Sequence, residues 1–149
     1  MKIRNYDHRV GWFTVNKVDY SSDALKSDSF RLIRRWRLEP KNEEAYSRGE
    51  LVEPKKQIVY YLDPATPKKW RPYFIKGIED WNSVFEKAGF KNTIVAKNPP
   101  SKEEDPNFSP EDIRYSTVRY VASETRNATG PSVSDPRTGE ILESDIIWY

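Results

Sequence analysis

Apolar and polar positions alternate along several stretches of this chain and follow a helical period in one. Residues 10–20, VGWFTVNKVDY, are rich in β-branched and aromatic side chains and predict a strand. In residues 30–39, Phe30, Leu32, Trp36 and Leu38 fall on one face and Arg31, Arg35 and Arg37 on the other. Arg34 interrupts the apolar face. Together the two stretches predict an N-terminal β-hairpin with a long, Ser/Asp/Lys-rich connection. Residues 40–56 are charged and contain Pro40, Gly49 and Pro54, the composition of a linker. Gln57–Leu62 is a further strand by its β-branched and aromatic content.

The helical period follows. Phe74, Ile78, Trp81, Phe85 and Ala88 recur at spacings that keep them on one stripe, which predicts one amphipathic helix packed through that stripe. Thr66 is a candidate N-cap and Pro67 a candidate first position. Pro72 is awkward for that start, so the helix is either kinked or begins near Trp70. Gly89 suits the left-handed residue that closes a helix. Short strands are predicted at 93–96 and 114–122, separated by a Pro-rich acidic loop. Residues 130–134 and 141–148 form a hairpin-like pair around Asp135–Glu140, where Gly139 supplies a positive φ. From residue 57 the order is β-α-β-β-β-β: an α+β class, with one main helix on a mixed sheet. The expected division is 1–56, hairpin and linker, and 57–149.

Composition narrows the chemistry. Hydrophobic residues make up 36% and charged ones 32%, with a net charge of +2, so neither a membrane span nor general nucleic-acid affinity is implied. The 5 Trp, 9 Tyr and 6 Phe argue for a packed core. With no cysteine, thiol chemistry, disulfides and cysteine zinc sites are excluded. The single histidine, His8, reads as a surface residue and cannot supply the three or four ligands of a zinc site. Lys102–Asp105 reads as a solvated loop rather than a calcium site. The arginines at 31, 34, 35 and 37 read as the solvated, edge-blunting face of a strand, a nucleic-acid strip being the weaker alternative. Asn127–Thr129 fits a glycosylation sequon, read as chance. Trp70, Tyr73 and Trp81 could form a ligand platform, but the helical stripe assigns Trp81 to core packing. The N-terminus has no apolar signal core.

Several pieces, in order, carry a resemblance. They are Asp7–Phe13, Arg35–Leu38, Ile58–Asp63, Trp70–Pro72, Gly77–Asn82, Ala88–Phe90, Tyr115–Arg119, Gly130–Val133, Asp135–Ile141 and Asp145–Ile146. Together they resemble a family of large bacterial zinc-dependent metallopeptidases related to the metzincins, in the region upstream of the zinc-binding helix. The resemblance implies a mostly parallel twisted sheet with an antiparallel edge strand, and makes 57–149 an incomplete metzincin-like N-terminal subdomain. It implies that Gly130, Pro131, Ser132, Val133 and Ser134 form the edge strand that binds an extended substrate, with Ile141–Trp148 behind it. The parent would hydrolyse peptide bonds with zinc-activated water, outside the cytoplasm. Its His-Glu-x-x-His is absent here, so this chain is expected to hold no zinc and no catalytic residue. Glu140 reads as a turn residue and Asp145 as structural. A chain ending within an apolar strand is read as a fragment, with an apolar patch at Ile141, Ile146 and Trp148. The expected partners are the remainder of the parent chain, an extended peptide, and a second copy through the sheet face, with no nucleic acid. The alternative is a stand-alone peptide-binding module working through the exposed edge.

Overall fold

The computed structural model describes residues 1–149 throughout. The chain forms two compact units, residues 1–37 with 132–142, and residues 38–131 with 143–149.

In the first unit, β1 (Thr14–Asp19) and β2 (Asp28–Ile33) pair antiparallel, with Thr14 opposite Ile33 and Asp19 opposite Asp28. The hairpin expected from alternation is therefore present, but β2 ends before Arg34. Beyond it Arg35 bridges to Glu140: Arg35 N donates to Gly139 O at 3.0 Å and Ile141 N to Arg35 O at 2.9 Å. Gly139 makes this approach possible. Its φ is +75°, and a Cβ there would lie 2.3 Å from the Ile33 carbonyl oxygen.

The second unit begins where a linker was expected. Asn42 caps a short helix, α1 (Glu43–Ser47), accepting from Ala45 N at 3.0 Å. Ala45, Val52 and Phe90 are buried together, with Leu38 and Phe85 packed against them. Two apolar residues scattered among charges, Ala45 and Val52, suffice to anchor this segment on Phe90, a pattern too sparse to register as periodicity.

Next come β3 (Ile58–Leu62), α2 (Arg71–Glu79), α3 (Asn82–Lys87), β4 (Ile94–Lys97), β5 (Ser116–Tyr120) and β6 (Ala128–Thr129). These are followed by β7 (Ser132–Ser134), β8 (Ile141–Ser144) and β9 (Ile146–Trp148). The main sheet has the order β4-β3-β5-β9-β6; every neighbouring pair is parallel except β6 with β9. It is a mixed, mostly parallel sheet with an antiparallel edge strand, in an α+β fold. β7 and β8 form a separate two-stranded pair.

Of the two helix starts left open, the later holds: the helix starts at Arg71, after Trp70, with Pro72 in its first turn, where a missing N–H costs no bond, and Thr66 is buried and caps nothing. The single predicted helix is two, broken at Asp80–Trp81. Ser83 donates its hydroxyl to Asp80 O at 2.8 Å, competing with the helical ladder. Asn82 turns toward the sheet instead, accepting from Thr93 N and Ile94 N and donating to Ile94 O. One side chain thereby closes part of the exposed β4 edge.

Candidate functional site

Strand alternation places Ile58, Tyr60 and Leu62 on one face of β3, all buried. Their neighbours by register are Ile94, Ala96, Ser116 and Val118, and Ile146 is in turn the neighbour of Val118. Along this face, beside α2, runs an open apolar cavity of about 400 Å³, lined by Tyr60, Tyr73, Phe74, Gly77, Ile78, Trp81, Ile94, Val118 and Ile146. Trp81 is 59% exposed and Tyr73 is 70% exposed. The assignment of Trp81 to the core is thus corrected: it lines the open cavity with Phe74 and Ile78 rather than packing under it, and Ile78 is the buried residue of α2. At the same end Trp148 meets Phe74, Tyr120 and Trp70, with ring centroids 5.4, 5.4 and 6.4 Å apart. Of the apolar patch expected, Ile146 lines the cavity and Trp148 is partly exposed beside it, whereas Ile141 belongs to the other unit.

Exposed aromatic surface of this kind recruits apolar probes. The chain is expected to enhance the fluorescence of a hydrophobic dye, and Tyr73→Ala with Trp81→Ala to reduce that signal severalfold without unfolding. Retention of the full signal in the double variant would place dye binding elsewhere.

A polar cluster lies where β8 gives way to β9. Asp145 Oδ1 accepts from Thr117 N at 3.0 Å and from Thr117 Oγ1 at 2.5 Å, and Asp145 N donates to Pro131 O at 3.0 Å. These bonds explain why the predicted strand 141–148 is two strands, and they give Asp145 a structural role. Ser116 Oγ accepts from Ser144 N at 3.1 Å. Nearby, Arg119 pairs with Glu111 at 2.5 Å and Asp63 at 3.4 Å. Glu143 has one carboxylate oxygen, Oε1, buried without a hydrogen-bond partner. Burial first, then the Asp145 charge and a hydrogen bond shared with it, push the Glu143 carboxyl up to about 7.

An acid raised on folding is neutral in the fold at a pH where the unfolded chain has ionised it. Its stabilising share is complete below the ordinary glutamate value of 4.5 and is lost as pH rises toward 7. Glu143→Gln should remove that slope and raise the denaturation midpoint at pH 8. An unchanged pH profile in the variant would rule Glu143 out as its source.

The segment expected to bind substrate is divided. The antiparallel edge strand of the main sheet is β6, Ala128–Thr129. Gly130 and Pro131 follow it directly, and Ser132, Val133 and Ser134 form β7. Pro131 carries no N–H, which suits a position where pairing changes. The basic strip is spent on internal contacts. Arg31 stacks on Tyr6 at 3.7 Å, Arg34 bonds to Ser132 and Ser134, Arg35 donates to Lys2 O at 2.6 Å, and Arg37 lies 4.0 Å from Glu140. Glu140, read as a turn residue, lies just past the turn at 136–138 and forms the bridge to Arg35 instead. No group of three or more His, Cys, Asp or Glu side chains is arranged to hold a metal. No helix is long and apolar enough to cross a membrane.

The fold thus defines an α+β chain with a parallel sheet and an antiparallel edge. Among protein families, residues 1–41 match one described only as a domain of unknown function, DUF5117. The match spans β1 and β2 but stops short of residues 132–142, which complete the same unit. No curated protein and no solved structure matches the chain.

Proposed function

We propose that this chain is the non-catalytic, cleft-forming part of a bacterial zinc-dependent metallopeptidase related to the metzincins. The supporting observation is the sheet order β4-β3-β5-β9-β6, which ends on a strand antiparallel to β9. In such enzymes a strand so placed borders the cleft and pairs with an extended substrate, its unpaired N–H and C=O groups holding any peptide backbone. Gly130 and Pro131 follow β6 directly in the chain and would lengthen that binding edge, while Ser132–Ser134 would offer a peptide the edge of β7. The apolar cavity beside α2 would receive the helix that carries the zinc ligands, or a second copy of this chain.

Zinc itself does not fit the residues present. A tetrahedral site needs three or four nitrogen, sulfur or oxygen ligands converging on one point, and this chain offers one His, no Cys and no converging acids. Its contribution would be substrate alignment, with zinc, the metal-activated water and its general base supplied by the remainder of the parent, outside the cytoplasm.

The direct test is the coding sequence following Tyr149. A His-Glu-x-x-His shortly downstream supports the reading; a stop codon sinks it. The exposed outer side of β6, whose residues are both exposed, supports a second reading, a stand-alone module that captures extended peptides. Saturable peptide binding, with NMR shifts confined to residues 128–134 and their neighbours, would support that alternative.

A further inference from the structure

The chain carries its own occupant for one of its strand edges. In the pair β7–β8, Asp135 N donates to Glu140 O at 2.8 Å, so Asp135 faces the partner strand. Alternation along an antiparallel pair turns Val133 the same way and leaves the backbone groups of Ser132 and Ser134 pointing outward. That outward side is where an added peptide would pair. Arg34 is already there. Its Nη2 donates to Ser132 O at 2.5 Å and also to Ser132 Oγ, and its Nε donates to Ser134 Oγ at 2.8 Å.

The position of Arg34 is fixed from its own side as well. Arg34 N donates to Phe13 O at 2.9 Å, and the bridge at Arg35 holds the next residue. Arg34, Ser132 and Ser134 all belong to the first unit. The residue that breaks the apolar alternation of 30–38 is therefore the one that reaches the Ser-rich strand. Its partners there are a carbonyl and two hydroxyls, the neutral acceptors that a strand edge presents.

We infer that Arg34 is an internal blocker of strand addition at β7, holding the Ser132 carbonyl that the N–H of an extended peptide would need. The inference rests on the peptide-holding role proposed for Gly130–Ser134. Capture along Ser132–Ser134 then requires the guanidinium to leave, and the N-terminal hairpin sets how readily it does. A charged donor on a carbonyl also blunts the edge against pairing with a second copy.

The experiment titrates the isotopically labelled full chain with the extended peptide Ac-Thr-Val-Thr-Val-Thr-NH2, comparing wild type, Arg34→Ala and Arg34→Lys. Arg34→Ala should bind about tenfold more tightly or better, the factor that one charge-assisted hydrogen bond commands. The Ser132 and Ser134 amides should gain protection from exchange in the complex. Arg34→Lys, which keeps the charge but loses the planar fork, should fall between the two. Should Arg34→Ala disturb the first unit, the lysine variant alone carries the comparison. Equal affinity at β7 in wild type and variants would overturn the blocking role and leave peptide capture standing. A folded variant that still binds no peptide would overturn both.

Discussion

Leu62→Ala is expected to destabilise the second unit by about 3 kcal/mol, the usual cost of deleting a buried leucine side chain where the surroundings cannot collapse. Leu62 has 0% exposure and sits on β3, between β4 and β5 in the main sheet. It pairs in register with Val118, itself almost fully buried. The cavity opened by the truncation is bounded by strands on both sides, so little can move in to fill it. Measured by denaturant or thermal unfolding, the loss should lower the melting temperature by roughly 10 °C. Leu142→Ala, at a side chain 47% exposed, should change stability by less than about 0.5 kcal/mol. A Leu62→Ala loss no larger than that of Leu142→Ala would mean that this strand is not the centre of the core.

Gly139→Ala should be comparably damaging, by about 2–4 kcal/mol, and its effect should be confined to the first unit. Two costs add. A non-glycine residue at φ +75° is strained. The added Cβ would also meet the Ile33 carbonyl oxygen at 2.3 Å and its carbon at 3.2 Å, backbone atoms that cannot swing aside. The bonds from Arg35 N to Gly139 O and from Ile141 N to Arg35 O would be lost with the displacement. Gly49→Ala separates the two costs. Gly49 has φ +82° with open space around it, so only the conformational penalty of about 1 kcal/mol applies. Chemical-shift changes in Gly139→Ala should gather on β1, β2 and residues 132–142 while β3 and β5 stay in place. Equal losses in the two glycine variants would show that the clash with Ile33 is relieved in solution.

The sheet was legible in the sequence because its strands carry their signal locally. Ile58–Leu62 and Ser116–Tyr120 are short runs of β-branched and aromatic residues, and both are strands, the first at nearly the expected bounds and the second two residues shorter at each end than 114–122. The helix stripe was legible only in part. Its spacing is compatible with one continuous helix, and nothing in periodicity reports that Asn82 would serve the edge of β4 and Ser83 the carbonyl of Asp80. Those are tertiary and local polar competitions, invisible to a count of apolar positions. The same reason hid the break at Asp145, whose side chain is drawn to Thr117, 28 residues away in the chain. Residues 40–56 read as a linker because charge dominates them, yet Ala45 and Val52 are buried. For the candidate site, the segment Gly130–Ser134 was marked by resemblance, and its division between β6's continuation and β7 was not. Trp81, between α2 and α3, was noticed and misplaced by the stripe.

The first unit is discontinuous in the chain, since Arg34 meets Ser134 across 100 residues. During synthesis at the ribosome its opening hairpin emerges long before the strands that complete it. The hairpin must wait with Leu32 and Ile33, both buried in the finished protein, without their final cover, while most of the second unit forms. Closing so long a loop is slow to reach but adds little further entropy cost with length. The early segment is therefore the one most exposed to misassembly in a growing chain, and cutting the protein at the apparent linker would strand it permanently.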